Sequence, residues 1–379
     1  MNECPHRKKC SGCQLQNLEY EEQLHMKTAK LIALLSRYGH VEEILPMTDP
    51  YHYRNKMQAA FMMRDGRILS GVYQSATGRI VPVDACLLEN EKADEIVVTV
   101  RKLLAGFKIK AFDSKTGRGF LRHVLVRTGF SSGEIMVVLV TAPGGFPSKR
   151  SFVNELVRRH PEITTVVWNI NASETALMLG RESETLYGEG YITDVLCGLS
   201  FRISPRSFYQ VNPVQTEVLY RIAGEMAGLS GKERLLDAYC GTGTIGLTMA
   251  GQAKEVIGVE LNRDAVKDAR ENAKRNGVKN AKFFAGDAGE YMVHALEAGE
   301  RFDVVVTDPP RAGCSPRFLH SLLKLSPRCI VYISCNPETL ARDLNTLTRG
   351  GYCVRKIQPV DMFPFTNHVE TVVCLNRRK

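Results

Sequence analysis

From Pro205 onward the sequence alternates strand-length apolar runs with segments of helical periodicity, and this alternation limits the fold more than any other feature of the chain. Leu235-Leu236-Asp237, Val256 to Glu260, Ala281 to Phe284, Phe302 to Thr307, Cys329 to Ser334, Tyr352 to Pro359 and Val369 to Leu375 read as strands. Gly243 to Ala250, Arg263 to Gly277 and Glu338 to Arg349 read as helices that separate most of them. The pattern predicts a doubly wound, Rossmann-like α/β sheet, whose ligands sit at the carboxyl ends of the strands.

The preceding segment has a different period. From Tyr51 to Phe201 the expected elements are mostly strands (Met57 to Met63, Ile68 to Tyr73, Val124 to Thr128, Ile135 to Thr141, Thr165 to Asn171, Ser200 to Ile203), interrupted by helices around Glu89 to Leu104 and Lys149 to Arg159. This predicts an α+β, largely antiparallel central domain. Leu24, Leu31, Leu34 and Leu35 mark an amphipathic helix from about Leu18 to Tyr38. The expected domains are therefore residues 1–16 with 49–205, a helix within 17–48 packing on the catalytic domain, and residues 206–379.

The 379 residues, 44% hydrophobic and 24% charged, suit a globular protein of two or three domains. A formal net charge of +9 favours a polyanionic partner, because Lys and Arg release counterions from a phosphate backbone. The basic N-terminus is followed by no apolar signal-peptide core, and the longest apolar runs are strand-length, so a cytoplasmic protein is expected. In that compartment the eleven cysteines read as metal ligands, catalytic thiols or small buried hydrophobes.

Asp237 to Gly246 forms a glycine-rich turn between a strand and a helix, and Glu260 ends the next strand, where acidic residues grip ribose hydroxyls in nucleotide folds. Asp287 after the third strand is placed for an adenine amino group, and Asp308-Pro309-Pro310 follows the fourth. This ordered series is the S-adenosylmethionine pattern; a dinucleotide site and an empty structural turn are the alternatives.

Cys335 follows an apolar strand and immediately precedes a helix, whose N-terminus is expected to lower the thiol pKa and supply thiolate. A nucleophilic thiol beside such a cofactor implies methylation of a weakly nucleophilic carbon, with pyrimidine C5 the usual case. Glu370, at the start of the last apolar strand, is the candidate base for the C5 proton. Packing alone would explain a buried cysteine or a strand-end carboxylate equally well taken singly.

Cys4, Cys10 and Cys13 with the distant Cys86 form a second thiol group, compatible with tetrahedral zinc or a [4Fe-4S] cluster. Ser207 to Pro213 combines aromatic and amide groups that suit a planar base, or else a hinge packed on the sheet. Tyr53 to Lys56, Arg118 to His123 and Arg311 are candidate phosphate contacts, though each alone reads as a solvated face.

The chain resembles the RNA uracil-5-methyltransferase family, most closely the bacterial RumA/RlmD type that methylates 23S ribosomal RNA. The resemblance rests on the spacing of Cys4, Cys10, Cys13 and Cys86, on Phe208-Tyr209-Gln210-Val211-Asn212, and on Asp237 to Gly243. It rests also on Ser334-Cys335-Asn336-Pro337 with Thr339 to Asp343, and on Asp361-Met362-Phe363-Pro364 leading to His368 and Glu370. It implies a [4Fe-4S] cluster on the four cysteines and S-adenosylmethionine contacts from Gln210, Tyr239, Thr244, Glu260, Asp287 and Asp308. It further implies Cys335 as nucleophile, Glu370 as base, Phe208 near a flipped uridine, and a 23S rRNA substrate met by a monomer, with no membrane partner. Longer members begin with a TRAM β-barrel, expected to be absent here because Cys4 lies almost at the first residue. This departure leaves the modified uridine open. Asp308-Pro309-Pro310-Arg311 replaces a more usual Asp-Pro-Ala-Arg.

Four alternatives stand beside this reading. A cytosine-5 methyltransferase would place its thiol in a Pro-Cys context, and an amino-group methyltransferase needs no thiol and favours an aromatic residue where Arg311 stands. A tRNA methyltransferase or a non-catalytic iron-sulfur RNA-binding factor would share the remaining features.

Overall fold

The computed structural model describes residues 4–75, 77–114, 116–173 and 178–378. It forms two compact units, one of residues 4–16, 49–195 and 202–206, the other of residues 17–48, 196–201 and 207–378. The first helix, α1 (Tyr20–Leu35), belongs to the second unit. A capping box between Glu19 and Glu22 starts it, and Leu31 and Leu35 are fully buried in that unit's core.

The first unit holds β1 (Lys56–Arg64), β2 (Arg67–Tyr73), β3 (Ile80–Pro82), α2 (Glu91–Gly106), β4 (Leu121–Thr128), β5 (Ile135–Thr141), α3 (Lys149–Arg159), β6 (Ile163–Ile170) and β7 (Glu182–Tyr187). Its sheet runs β3-β2-β1-β4-β5-β6-β7, antiparallel except where β5 meets β6 across α3. Asp65 and Gly66, both at positive φ, make the two-residue turn between β1 and β2 that such a hairpin favours. Helices α2 and α3 bury Ile96, Val97, Val100, Phe152 and Leu156 with Phe61, Val124, Val126, Val137 and Leu139 of the sheet. Strands β3 and β7 are edge strands that periodicity does not reveal, β3 being three residues long and β7 largely exposed. β8 (Ile192–Leu196) and β9 (Leu199–Ile203) form a separate hairpin around Cys197-Gly198.

The second unit continues with α4 (Pro213–Ala227), β10 (Arg234–Ala238), α5 (Thr244–Met249), β11 (Glu255–Glu260), α6 (Arg263–Arg275), β12 (Ala281–Ala285) and α7 (Ala288–Glu297). It ends with β13 (Val304–Thr307), α8 (Pro316–Leu325), β14 (Cys329–Ser334), α9 (Pro337–Arg349), β15 (Tyr352–Val360) and β16 (Glu370–Arg377). Strand order is β12-β11-β10-β13-β14-β16-β15, parallel from β12 to β14, with β16 antiparallel to both β14 and β15. Every residue of β13 and β14 is buried, as expected for strands covered on both faces. Connectivity reverses between β10 and β13, which puts the topological switch point beside Asp237 and Asp308. Because β16 runs antiparallel, its first residue, Glu370, reaches the rim where β14 ends, with Ser334 paired to Thr371.

Candidate active site

The turn after β10 and the start of α5 pack so closely on the protein's own side chains that two glycines leave no room for a Cβ. Gly243 has φ +82°, and a Cβ there would stand 2.9 Å from the Phe283 ring; a Cβ on Gly246 would stand 2.8 Å from Asp237 Oδ2. Tyr239 adopts the left-handed region at φ +64°, a conformation costly for a non-glycine residue and concentrated at functional sites. Gly246 N–H donates to Asp237 Oδ2 at 2.7 Å, while Oδ1 is buried with no hydrogen-bond partner among the described residues. Burial first, then Asp308 and Glu260, pushes Asp237 up to about 8 despite that bond.

Glu260 closes β11 and accepts from Gly241 N at 3.1 Å and Asn262 N at 2.8 Å, which fixes its carboxylate beside the turn. Asp287 is exposed and caps α7 through Glu290 N at 3.0 Å. Thr244 opens α5 and shares a 2.9 Å hydrogen bond with the buried Tyr220 hydroxyl. Gln210 and Tyr209 are buried, whereas Phe208 is 63% exposed, free to meet a flat ligand.

Cys335 is half-buried between β14 and α9. Burial, then Glu370 and Asp308, pushes its thiol up to about 11, opposed by Arg311 and a backbone hydrogen bond. The thiol is thus raised where the helix start was expected to lower it: helix α9 does begin next to Cys335, but burial, and after it Glu370 and Asp308, act the other way. Glu370 is 4% exposed, and its Oε2 has no hydrogen-bond partner among the described residues. Burial and the nearby Asp308 raise its pKa well above the ordinary carboxyl value, and burial raises Asp308 as well. In the folded protein Glu370 thus keeps its proton to higher pH than in the unfolded chain, and stability falls as pH rises through that interval.

Several residues that position this rim carried no assigned role in the sequence. Asn336 Nδ2 and Thr339 Oγ1 donate to Arg311 O at 3.0 and 3.3 Å, and Arg342 Nη2 donates to Ala312 O and Cys314 O at 3.0 and 3.1 Å. Fully buried Asp343 accepts from Cys314 N at 2.8 Å and from Tyr332 Oη at 2.6 Å. The stretch Asn336 to Asp343 therefore clamps the loop that follows Asp308, and Arg311 in turn meets His368 Nδ1 at 3.3 Å. On the other side, Asp361 accepts from Lys27 Nζ at 2.6 Å and Tyr20 Oη at 2.9 Å. Asn212 caps α4 and donates to Met362 O at 2.9 Å, and Gln215 donates to Asp361 O at 3.0 Å. These bonds tie α1 and α4 to the loop that delivers Glu370.

The second thiol group lies in the first unit. Cys4 and Cys10 sulfurs accept from His6 N and Gly12 N at 3.4 Å, and Cys86 Sγ accepts from Leu88 N at 3.5 Å. Burial, followed by Cys10 and Cys4, pushes Cys13 up to about 12; burial and Glu89 do the same to Cys86. Among the described residues no group of three or more His, Cys, Asp or Glu is gathered closely enough to hold a metal ion, so the expectation of a formed four-thiol site is not met. A thiol must lose its proton to bind a metal, and the raised pKa values of Cys13 and Cys86 favour the protonated form. The donor set itself, four sulfurs with amide donors on three of them, suits a thiolate-bound metal.

The profile of the tRNA (uracil-5-)-methyltransferase family matches residues 181–378. An uncharacterised RNA methyltransferase of Clostridium acetobutylicum is 43% identical, over 99% of this chain and 83% of that protein. The chain belongs to this family. A second uncharacterised RNA methyltransferase, from Listeria monocytogenes, is also 43% identical over 98% of this chain and 83% of its own. The crystal structure of Pyrococcus abyssi tRNA (uracil-54, C5)-methyltransferase in complex with S-adenosyl-L-homocysteine is similar at TM-score 0.80 and 32% identity, covering 99% of this chain and 87% of that one. As a uracil-5-methyltransferase the chain carries its glycine-rich turn, Cys335 and Glu370 inside the matched region, while Cys4, Cys10, Cys13 and Cys86 precede it. Among the described residues no helix is long and apolar enough to cross a membrane.

Proposed function

We propose that the second unit transfers a methyl group from S-adenosylmethionine to C5 of a uridine in RNA through a covalent adduct at C6. The observation that carries this reading is the meeting of Cys335 and Glu370 at one rim of the sheet, brought about by the antiparallel β16. When bound, S-adenosylmethionine supplies a methyl group on a sulfonium, a cationic centre suited to the acidic strand ends. Gln210, Tyr239, Thr244, Glu260, Asp287 and Asp308 would hold it. Phe208 would stack on the uracil once it has left its helix, since C5 and C6 cannot both be reached inside a stack.

Cys335 gives its proton to solvent and its sulfur bonds to C6 as the C5–C6 double bond opens, so that C5 becomes nucleophilic and would take the methyl group, with S-adenosylhomocysteine as the leaving group. Glu370 then removes the C5 proton, the C5–C6 double bond re-forms, and the thiolate leaves. The raised thiol pKa means that proton loss belongs to the assembled complex, where substrate and sulfonium offset the carboxylates. Cys335→Ala should abolish turnover and every covalent RNA adduct. Glu370→Gln should permit attack and methylation but stall proton removal, so that a nuclease-sensitive adduct accumulates on denaturing gels. Methylation by Cys335→Ala, or full turnover by Glu370→Gln, overturns the assignment. In the wild-type protein, adduct resolution should still be accelerating with pH well above the ordinary carboxyl value, up to about 8, because burial and Asp308 delay the base form of Glu370; a plateau already reached by about pH 6 would overturn this.

For the RNA, the motif resemblance supports 23S rRNA, whereas the similarity to the Pyrococcus protein favours tRNA as a second reading. Mapping 5-methyluridine in total RNA with and without the gene distinguishes them. For the first unit, the reading is a [4Fe-4S] cluster on Cys4, Cys10, Cys13 and Cys86, supported by the amide donors on their sulfurs. Protein purified without oxygen should then be brown with about four irons per chain. Stoichiometric zinc with no iron would overturn that reading.

A further inference from the structure

The first unit carries a cleft of about 730 Å³, within the range of about 300–1,000 Å³ typical of ligand sites. It opens on the β3-β2-β1-β4 end of the sheet. Side chains alternate along β1: Met57, Ala59 and Phe61 join the core under α2 and α3, so Ala60, Met62 and Arg64 lie on the opposite face. Ala60 is opposite His123 on β4 and presents only a methyl group. Tyr73 and His123 meet from the two flanking strands, with the hydroxyl 3.2 Å from Nε2 and the ring centroids 6.0 Å apart. Tyr73 is 55% exposed. Burial, then Arg122, lowers His123 to about 4, so its ring is neutral at physiological pH and its buried Nδ1 has no partner among the described residues.

Cations surround this platform. Arg64 and Arg79 are exposed at its edge, and Arg122 lies over the Phe112 ring at 4.7 Å; Asp113 is the one carboxylate among the lining residues. Arg122 is already anchored through Nη1 on Asn171 O and Ser173 O, while among the described residues the one carboxylate that Arg64 approaches is the exposed Asp65 at 3.8 Å. The wall bearing Arg79 is held by the cysteine-bearing segment: Ser75 N donates to Ser11 Oγ at 2.8 Å and Gln74 Nε2 to Lys9 O at 2.9 Å.

We propose that this cleft binds a single-stranded nucleotide of the RNA substrate outside the methylated uridine, the base lying against Tyr73 and its phosphate meeting Arg64 and Arg79. Flat neutral rings flanked by unspent arginines match single-stranded RNA, which is recognised by stacking plus backbone charge. The Ser11 and Lys9 bonds make the cysteine segment a brace for the cleft. The inference rests on RNA being the substrate and is independent of the roles given to Cys335 and Glu370.

Binding without turnover tests it, using a fluorescein-labelled oligouridylate of about 12 nucleotides, within the span tracked by single-strand sites. Tyr73→Ala should weaken binding by about tenfold, the lower part of the range for a lost base stack. Arg64→Glu with Arg79→Glu should weaken it further and reduce the salt slope by about 0.7 per phosphate contact. Ser11→Ala should weaken it several-fold. S-adenosylmethionine affinity and the unfolding midpoint should stay at wild-type values in all of them. Unchanged RNA affinity in both the Tyr73 and the double arginine variants overturns the proposal. So does preferential binding of free uridine monophosphate over the oligonucleotide, which would make the cleft a small-molecule site.

Discussion

Among the described residues two sheets have seven strands each, and they do opposite things with their faces. In the second unit, parallel strands are covered on both sides, so function is confined to the rim where strands end. In the first unit, α2 and α3 cover one face, and the β3-β2-β1-β4 end leaves Tyr73 and Arg64 open on the other. Chemistry that needs desolvation belongs at the rim, where Glu370 Oε2 is buried without a donor among the described residues; recognition of an extended polyanion belongs on an open face.

Substitutions can break this comparison. Lys27→Met should have the largest effect on stability, because it leaves the fully buried Asp361 without its ion partner; the cost of breaking such a pair is about 3–5 kcal/mol in urea unfolding. A value near zero would mean that α1 does not hold the loop before Glu370. Ile330→Ala in the buried β14 should cost about 2–5 kcal/mol by the same measurement, since helix-covered strands cannot collapse around the cavity. Glu260→Ala acts on the rim alone: by removing charge-assisted hydrogen bonds it should weaken S-adenosylmethionine binding by about 1.5–3 kcal/mol in calorimetry. Unchanged affinity would remove Glu260 from the ribose site. Met62→Ala, on the open face of the first sheet, should change unfolding free energy by no more than about 0.5 kcal/mol. A loss comparable to that of Ile330→Ala would show that this face is covered.

Most elements of both sheets were legible because their signals are local. Ile135 to Thr141, Cys329 to Ser334 and Lys149 to Arg159 have the expected bounds, each being an uninterrupted run of one period. Helices α7 and α8 were missed although they carry start signals, Asp287 as a cap and Ser315-Pro316 as cap and first residue. Their ten-residue lengths and glycine-bearing surroundings hid the period. The expected lowering of the Cys335 pKa was not met for a different reason: the helix start is visible in sequence, whereas burial and the opposing groups at residues 370 and 308 depend on the fold.

The sequence by itself determined the two kinds of sheet, the glycine-rich turn, the acidic strand ends and which cysteines stand near helices or in polar segments. These depend on periodicity, backbone freedom and residue chemistry within a few positions. Only the tertiary structure decided that Glu370 meets Cys335, that Asn336 to Asp343 clamp the loop after Asp308, and that Tyr73 and His123 share a face across Ala60. Strand direction and sheet order bring these residues together, and their charges and burial act through distances that spacing along the chain does not encode.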